Sequence, residues 1–436
     1  MDDSNFFNAL KIYFSENNNN DYDFTLEEIT LIGKFNDDNT KNNISYWNVF
    51  AVTNMNNAFD STIRSTFNIN ISKWDVGNVT DMSGMFYKCI GFTDLTFVEG
   101  WNTGSVTDMG AMFSKCTSLA DITSVVGWHT GKVINMTDMF NSTHITSLTS
   151  LENWDTSSVT DMTSMFSYTP ITSLKGLEDW NTGSVTDMDA MFSKCTSLTS
   201  LTSLENWNTG SVTYMNNMFN STHITSLKSL ENWDTGSVTD MSGMFGYTYI
   251  TSLAGLENWN TGSVTDMTYM FFDCNSLADI TSVVGWNTSK VKYMSYMFSY
   301  THITSLNGLK DWNTGSVTDM SDMFSYTPIT SLKGLEDWNT GSVTYMINMF
   351  YKCTSLTSLT SLENWNTGSV TYTNNMFYNC TSLADIVQAR YWHINNYKSG
   401  IFNYMFKLID KDTFDNYKNS GLINEDGTPL SAFFNL

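Results

Sequence analysis

Three histidines, His144, His223 and His302, stand 79 residues apart, a regularity that invites a shared metal ion. The spacing argues against one. The chain repeats every 26 or 27 residues, so 79 residues are three repeats. At about 4.8 Å per stacked repeat, three repeats separate the imidazoles by about 14 Å, whereas zinc needs its ligands about 2.1 Å from one ion. His129 and His393 merely replace the Asn or Asp of other copies. Carboxylates form closer columns: Asp81 and Asp108 in successive repeats, and Glu152, Glu178, Glu205, Glu231 and Glu257 two residues before a tryptophan. Stacked about 5 Å apart, they could gather calcium, which takes several oxygen ligands. The glycine-rich nonapeptide of calcium-binding solenoids is missing, so the columns read as a solvated edge with no metal. No nucleophile, base and orienting group meet at one place, because each candidate is one of a column of copies. The expectation is a chain that is not an enzyme and carries no cofactor.

Binding chemistry is the stronger prospect. Fourteen tryptophans recur with the repeat, and an exposed ladder of indoles would suit sugar rings. Their constancy reads instead as a core or corner residue, and the Met and Phe columns read as core in the same way. Positions that vary between copies are those the core does not hold. Counting from each Trp, position +7 is Asp in many copies but Tyr at Tyr214, Tyr293, Tyr345 and Tyr372, and position +10 places Tyr269 and Tyr296 in adjacent copies. Clustered exposed tyrosines suit contact with a protein or a glycan. Tyr269, Tyr293, Tyr296, Tyr345 and Tyr372 are the candidate binding residues. Thr146, Ser147, Thr149, Ser150 and their copies form a hydroxyl-rich face that could serve adhesion or, if flat, bind ice. All six cysteines share position +15, where Thr143, Thr169 and other threonines also stand. They read as buried or half-buried reduced thiols that pack; only Cys89/Cys116 and Cys353/Cys380 fall within bridging distance.

These residues need a scaffold, and its unit is seen at Trp101 to Cys116, WNTGSVTDMGAMFSKC, followed by a Ser/Thr/Leu run to the next Trp. A fixed period below 30 residues means units that bury their apolar faces only against neighbours. The apolar positions +5, +8, +11, +12 and +15 fall within an arc of about 120° at about 100° per residue, which predicts a short helix. Ser at +4 would cap it, Asp at +7 would complete the box, and Gly at +3 would admit the turn. Ile145, Leu148 and Leu151 between hydroxyl residues predict a short strand that pairs in parallel with its copies. The fold class is therefore an α/β repeat solenoid, with one short parallel strand and one short helix per coil and about fourteen coils over residues 44–406. Residues 1–43 read as an N-terminal cap with Phe6, Phe7, Leu10 and Phe14 on one helix side and a second helix near Thr25 to Gly33. Residues 407–436 read as the C-terminal cap.

Forty-four acidic residues against twenty-one basic ones give a formal charge of −23, which repels phosphate backbones and anionic lipids. Nucleic-acid partners and membrane insertion are not expected. No export signal, anchor or transmembrane run is visible in the chain, whose start carries Asp2 and Asp3. The W[ND]T[SG]xVTDMxxMF unit, with MFSKCTSLADI at Met112 to Ile122, resembles the repeat of BspA-like leucine-rich-repeat surface proteins over about residues 44–406. The resemblance implies a leucine-rich-repeat-like solenoid at a cell surface or secreted, acting in adhesion or protein–protein interaction. The rival expectation is a structural spacer, or an ice- or calcium-interacting solenoid, with no local binding patch.

Overall fold

The computed structural model describes residues 1–17, 44–60, 70–384 and 415. It divides into two compact units, residues 1–198 with 202–211, and 199–201 with 212–436. Within each unit, successive repeats form coils stacked in parallel. Single-residue bridges join equivalent residues at +7: Asp81 to Asp108 and Asp108 to Asn135 in the first unit, Tyr293 to Asp319 and Asp319 to Tyr345 in the second. The expected second helix at Thr25 to Gly33, the last repeat at Trp392 and, but for Asp415, the 407–436 cap lie outside the described residues.

The helix expected in each coil does not form. In the coil of Trp101, Met112 N bonds to Met109 O (3.2 Å), Ser114 N to Ala111 O (3.0 Å) and Cys116 N to Phe113 O (3.1 Å), a run of three-residue-back turns. The alternate amides leave the coil altogether: Met109 N reaches Asn135 O, Ala111 N reaches Thr137 O, Phe113 N reaches Met139 O and Lys115 N reaches Asn141 O. Ala111 and Lys115 have φ of 54° and 62°, and the same two positions are left-handed in copy after copy. Positive φ at the third residue makes the Met109–Met112 and Phe113–Cys116 turns type II and excludes a right-handed helix. Such turns bring residues three apart to one side, so Val106, Met109, Met112, Phe113 and Cys116 still share the core. The apolar spacing is the same for both geometries, and stacking decides between them, because an identical neighbour supplies the partners that every buried amide requires.

The cap residues expected of that helix do other work. Ser184 Oγ donates to Ser157 O of the preceding coil (2.7 Å), and Asp108 Oδ1 accepts the Gly110 amide two residues on (2.8 Å). The segment expected as a strand is mostly irregular and enters a 3-10 turn at Thr149–Leu151, with copies at Thr202–Leu204 and Thr281–Val283. A bridge within this segment joins Ser252 to Asp279. Thr146, Ser147 and Thr149 are exposed as expected, yet the 3-10 turn interrupts the flat sheet that ice binding requires. Parallel pairing runs through the VTDM segment instead.

Packing explains the rest of the repeat. Trp101 is 2% exposed, stacks on Trp128 at 6.4 Å, and donates its Nε1 to Ile71 O at 3.0 Å. The tryptophans from Trp47 to Trp365 are thus core residues, not a ladder for sugars. Thr103, fully buried, ties its coil to His129 O of the next (3.0 Å). At the N-terminal edge the helix α1 (Asp3–Asn17) buries Phe6, Ala9 and Leu10, and Phe6 lies edge-on to Trp74 at 5.7 Å. Asp3 accepts from Thr53 N, Thr53 Oγ1 and Asn54 N. Those amides point where a preceding coil's carbonyl would sit, so the carboxylate satisfies an otherwise open edge.

All six cysteines are free and buried. Cys116 Sγ donates to Phe86 O at 3.0 Å and Cys195 Sγ to Phe166 O at 3.1 Å, so each thiol acts as an inter-coil tie. Burial pushes Cys195 up to about 11 and Cys89, Cys274 and Cys353 up to about 12. Thiolate, the reactive form, is therefore scarce at neutral pH. Iodoacetamide at pH 8 is expected to label none of the six in the native chain and all six in denaturant, read by intact mass. Dithiothreitol should leave the melting temperature unchanged.

Candidate functional site

Left-handed residues at +10 and +14 point their side chains out of the coil, and in the second unit these positions are filled with rings. At +10 stand Tyr269 and Tyr296, at +13 Phe272, Tyr351 and Tyr378, and at +14 Tyr247, Tyr300 and Tyr326. The rings are in continuous contact. Tyr269 stacks on Tyr296 at 4.6 Å, and Phe272 meets Tyr247, Tyr269 and Tyr300 edge-on at 5.1, 5.2 and 5.7 Å. Tyr300 stacks on Tyr326 at 4.1 Å, Tyr326 touches Tyr351 at 5.4 Å, and Tyr351 stacks on Tyr378 at 5.1 Å. Lys352 lies over Tyr326 with Nζ 4.8 Å from the ring centroid, within cation–π range. The result is a ribbon of eight partly exposed rings along one edge. The equivalent edge of the first unit carries Lys–Tyr pairs instead: Lys115 Nζ meets Tyr87 OH at 3.1 Å and Lys194 Nζ meets Tyr168 OH at 2.5 Å.

The five tyrosines singled out from sequence divide into three groups. Tyr269 and Tyr296 belong to the ribbon. Tyr345 and Tyr372 form a separate stack at +7, 5.0 Å apart and exposed. Tyr293 is exposed between Asp266 and Asp319 in the bridge ladder and has no ring contact among the described residues. Tyr247, Phe272, Tyr300, Tyr326, Tyr351 and Tyr378 escaped the sequence reading, which followed the variation at +7 and +10 alone, although +13 and +14 would share the +10 side of a helix as well. The signal was present: these positions vary between copies as freely as +10 does.

Of the glutamate column, three members at the 79-residue period are clasps. Glu178 accepts from Gly176 N and Ser203 Oγ, Glu257 from Gly255 N and Ser282 Oγ, and Glu336 from Gly334 N and Ser361 Oγ. Both oxygens of each carboxylate are engaged by the protein.

Four stretches, residues 29–149, 143–226, 220–324 and 300–416, match one family model, described as "Mycoplasma protein of unknown function, DUF285". The chain belongs to that family. No curated protein matches it. Similar solved structures include an internalin from Listeria monocytogenes, 10% identical over 93% of this chain and 94% of that one, with a TM-score of 0.37. Another is a leucine-rich repeat protein from Bacteroides ovatus, 14% identical over 80% of this chain and 68% of that one, with a TM-score of 0.26. Scores this low carry no argument, and the repeat architecture of the DUF285 chain stands on its own bridges and core. Among its described residues no helix is long and apolar enough to cross a membrane.

One charge is buried beneath the ribbon of the DUF285 chain. Asp322, 7% exposed, has its carboxyl pKa raised by burial, against the opposing hydrogen bonds of Tyr296, Asn348 and Ser325. Burial, reinforced by the Asp322 charge, raises the Tyr296 phenol in turn. Because the folded chain holds the Asp322 proton more tightly than the unfolded one, the associated stability is fully present below the unfolded pKa. It is lost as the pH rises through the folded pKa. Asp322→Asn, the residue of the same position at Asn348, is expected to melt above the wild type at pH 7. The gap should close as the pH falls through the folded pKa, a comparison that paired melting curves measure.

Proposed function

We propose that this DUF285 chain is a non-enzymatic binding protein of the leucine-rich-repeat-like class, presented at a cell surface or secreted, whose second unit offers the aromatic ribbon to a protein or glycan partner. The observation that supports it is the ribbon itself: eight rings in unbroken contact, from coil positions that the core leaves free to vary. Tyr rings at a clustered surface combine a large apolar area with a polar tip and lose little rotamer freedom on binding. The adhesion role and the surface location extend the resemblance to BspA-like proteins.

The decisive comparison is between two triple variants. Tyr300→Ser/Tyr326→Ser/Tyr351→Ser removes the centre of the ribbon, where serine already stands at equivalent positions such as Ser142 and Ser167. Tyr293→Ser/Tyr345→Ser/Tyr372→Ser removes rings that lie outside it. Both should fold as the wild type by circular dichroism. Adhesion to intact cells is expected to fall about tenfold or more in the first and to change little in the second. Equal adhesion by all three proteins would favour the spacer, in which no local patch matters. Protease accessibility of the tagged protein on intact native cells tests the location separately.

A further inference from the structure

The ribbon ends in a notch. The coil of Trp233 has glycine at +10 and at +13, Gly243 and Gly246, so neither position sends a side chain into the space between its two neighbours, and Tyr247 at +14 borders it. Asn217 and Asn220 of the preceding coil stand on one side, and Tyr269 and Phe272 of the next stand on the other. Together they bound a cavity of about 340 Å³, near the lower end of the range of about 300–1,000 Å³ for small-molecule sites. Tyr247 and Tyr269 both meet Phe272 edge-on, at 71° and 75°, so the aromatic wall is a corner rather than a flat plate.

The polar groups facing this corner are neutral amides and hydroxyls with one carboxylate. Asn220 gives one N–H to Gly243 O and accepts Ser221 Oγ, which leaves a second N–H unspent. Asp266 Oδ1 takes the Thr268 amide, and the hydroxyls of Ser242 and Thr268 complete the lining. No lysine, arginine or histidine lines the cavity. An anionic ligand would therefore meet Asp266 without a counter-charge, on a chain of net charge −23. A flat apolar ligand would leave the amides and hydroxyls unpaired. A ring with one C–H face and a rim of hydroxyls satisfies both walls.

We propose that the Gly243/Gly246 notch is a subsite for one neutral sugar residue, stacked in the Tyr247–Phe272–Tyr269 corner and hydrogen-bonded to Asn217, Asn220 and Asp266. The assignment rests on the ribbon being a binding surface and names the ligand class at one end of it. The site can be closed without disturbing the fold. Alanine occupies +10 with positive φ at Ala111 and Ala190, and serine occupies +13 at Ser114 and Ser193. A Cβ at residue 243 would come within 2.3 Å of Asn217 Oδ1, and one at 246 within 2.9 Å of Asn220 Nδ2, both ends of movable side chains. Gly243→Ala/Gly246→Ser thus makes this coil like its copies and pushes the amides into the notch.

The test is a panel of immobilised neutral and sialylated glycans, followed by titration of the best neutral monosaccharide by nuclear magnetic resonance against the full-length chain. The wild type is expected to bind neutral termini over sialylated ones. The filled variant should bind about tenfold or more weakly, and Phe272→Ser should do the same through loss of the stacking wall. No neutral glycan bound, a preference for sialylated termini, or equal affinity in the filled variant would each overturn the assignment. The ribbon reading fails separately: it is lost when Tyr300→Ser/Tyr326→Ser/Tyr351→Ser leaves cell adhesion intact. Cell adhesion retained by the filled variant and lost by the ribbon variant, with no sugar bound, would remove the sugar subsite alone.

Discussion

Phe192→Ala is expected to destabilise the chain by about 3–5 kcal/mol, the usual cost of emptying a large aromatic site in a close-packed core. Phe192 is fully buried, stacks on Phe166 at 5.8 Å with planes 8° apart, and packs against Trp207 at 6.3 Å. Phe166 is itself stacked on Phe140 at 5.9 Å and Trp207 on Trp180 at 6.4 Å, so the cavity would be walled by rings held in their own stacks. Those rings cannot close on it without leaving their neighbours. Because a stacked array couples each coil chiefly to the next, the loss should be local. Urea unfolding gives the magnitude, and amide hydrogen exchange should show lost protection centred on the adjoining coils. A cost below about 1 kcal/mol would mean that the column relaxes freely and contributes little to stability.

Gly255→Ala should be comparably damaging for a different reason. Gly255 has φ of +105°, outside the left-handed well that Ala111 tolerates, and its amide is clasped by Glu257 at 2.7 Å. An added Cβ would lie 2.6 Å from Leu227 O and 2.8 Å from Leu227 C, both backbone atoms of the preceding coil. Backbone strain of about 1–3 kcal/mol adds to an overpacking cost of about 1–3 kcal/mol, so a loss of about 2–6 kcal/mol is expected in thermal or urea unfolding. Gly176 and Gly334 share the geometry, with φ of +103° and +107° and neighbouring carbonyl oxygens 2.4 Å from the added atom. Gly285, with nothing within 4 Å of a Cβ, is the control. Its alanine variant should lie within about 0.5 kcal/mol of the wild type. Equal behaviour of the two variants would show that the coils slide apart at little cost.

The tyrosines at the surface and the glycines at the coil junctions follow one rule. Where Gly176, Gly255 and Gly334 press on the preceding coil's backbone no Cβ fits, and where a position faces solvent the copies diverge. At +14 unit 1 carries Lys88, Lys115 and Lys194 with Tyr168, while unit 2 carries Tyr247, Tyr300 and Tyr326 with Lys352. Two surfaces of different chemistry are thus built on one core pattern.

The repeat itself was legible from residue order alone. The period, the core columns of Trp, Val, Met and Phe, the burial of the cysteines and the outward place of Tyr293 or Tyr345 all follow from which positions stay apolar and which vary. Backbone handedness was the point at which residue order ran short. Positions +5, +8, +11, +12 and +15 satisfy a helix and a chain of type II turns equally well, since both bring residues three apart to one side. Asn57, Gly84, Asp138, Asn217 and Asn348 at +10 did hint at positive φ, because Gly, Asn and Asp enter that region most readily. Ala111, Lys115 and Tyr168 gave no such hint, and they adopt it because their amides, or those beside them, find partners in the next coil. Stacking settled the turns, the turns settled which side chains leave the coil together, and only then did Tyr269, Phe272 and Tyr300 become neighbours. Tyr269 and Phe272 are three residues apart in one coil, but Tyr300 lies about two and a half dozen residues away in the next. Contacts of that kind are made by the register between coils, which no single coil contains.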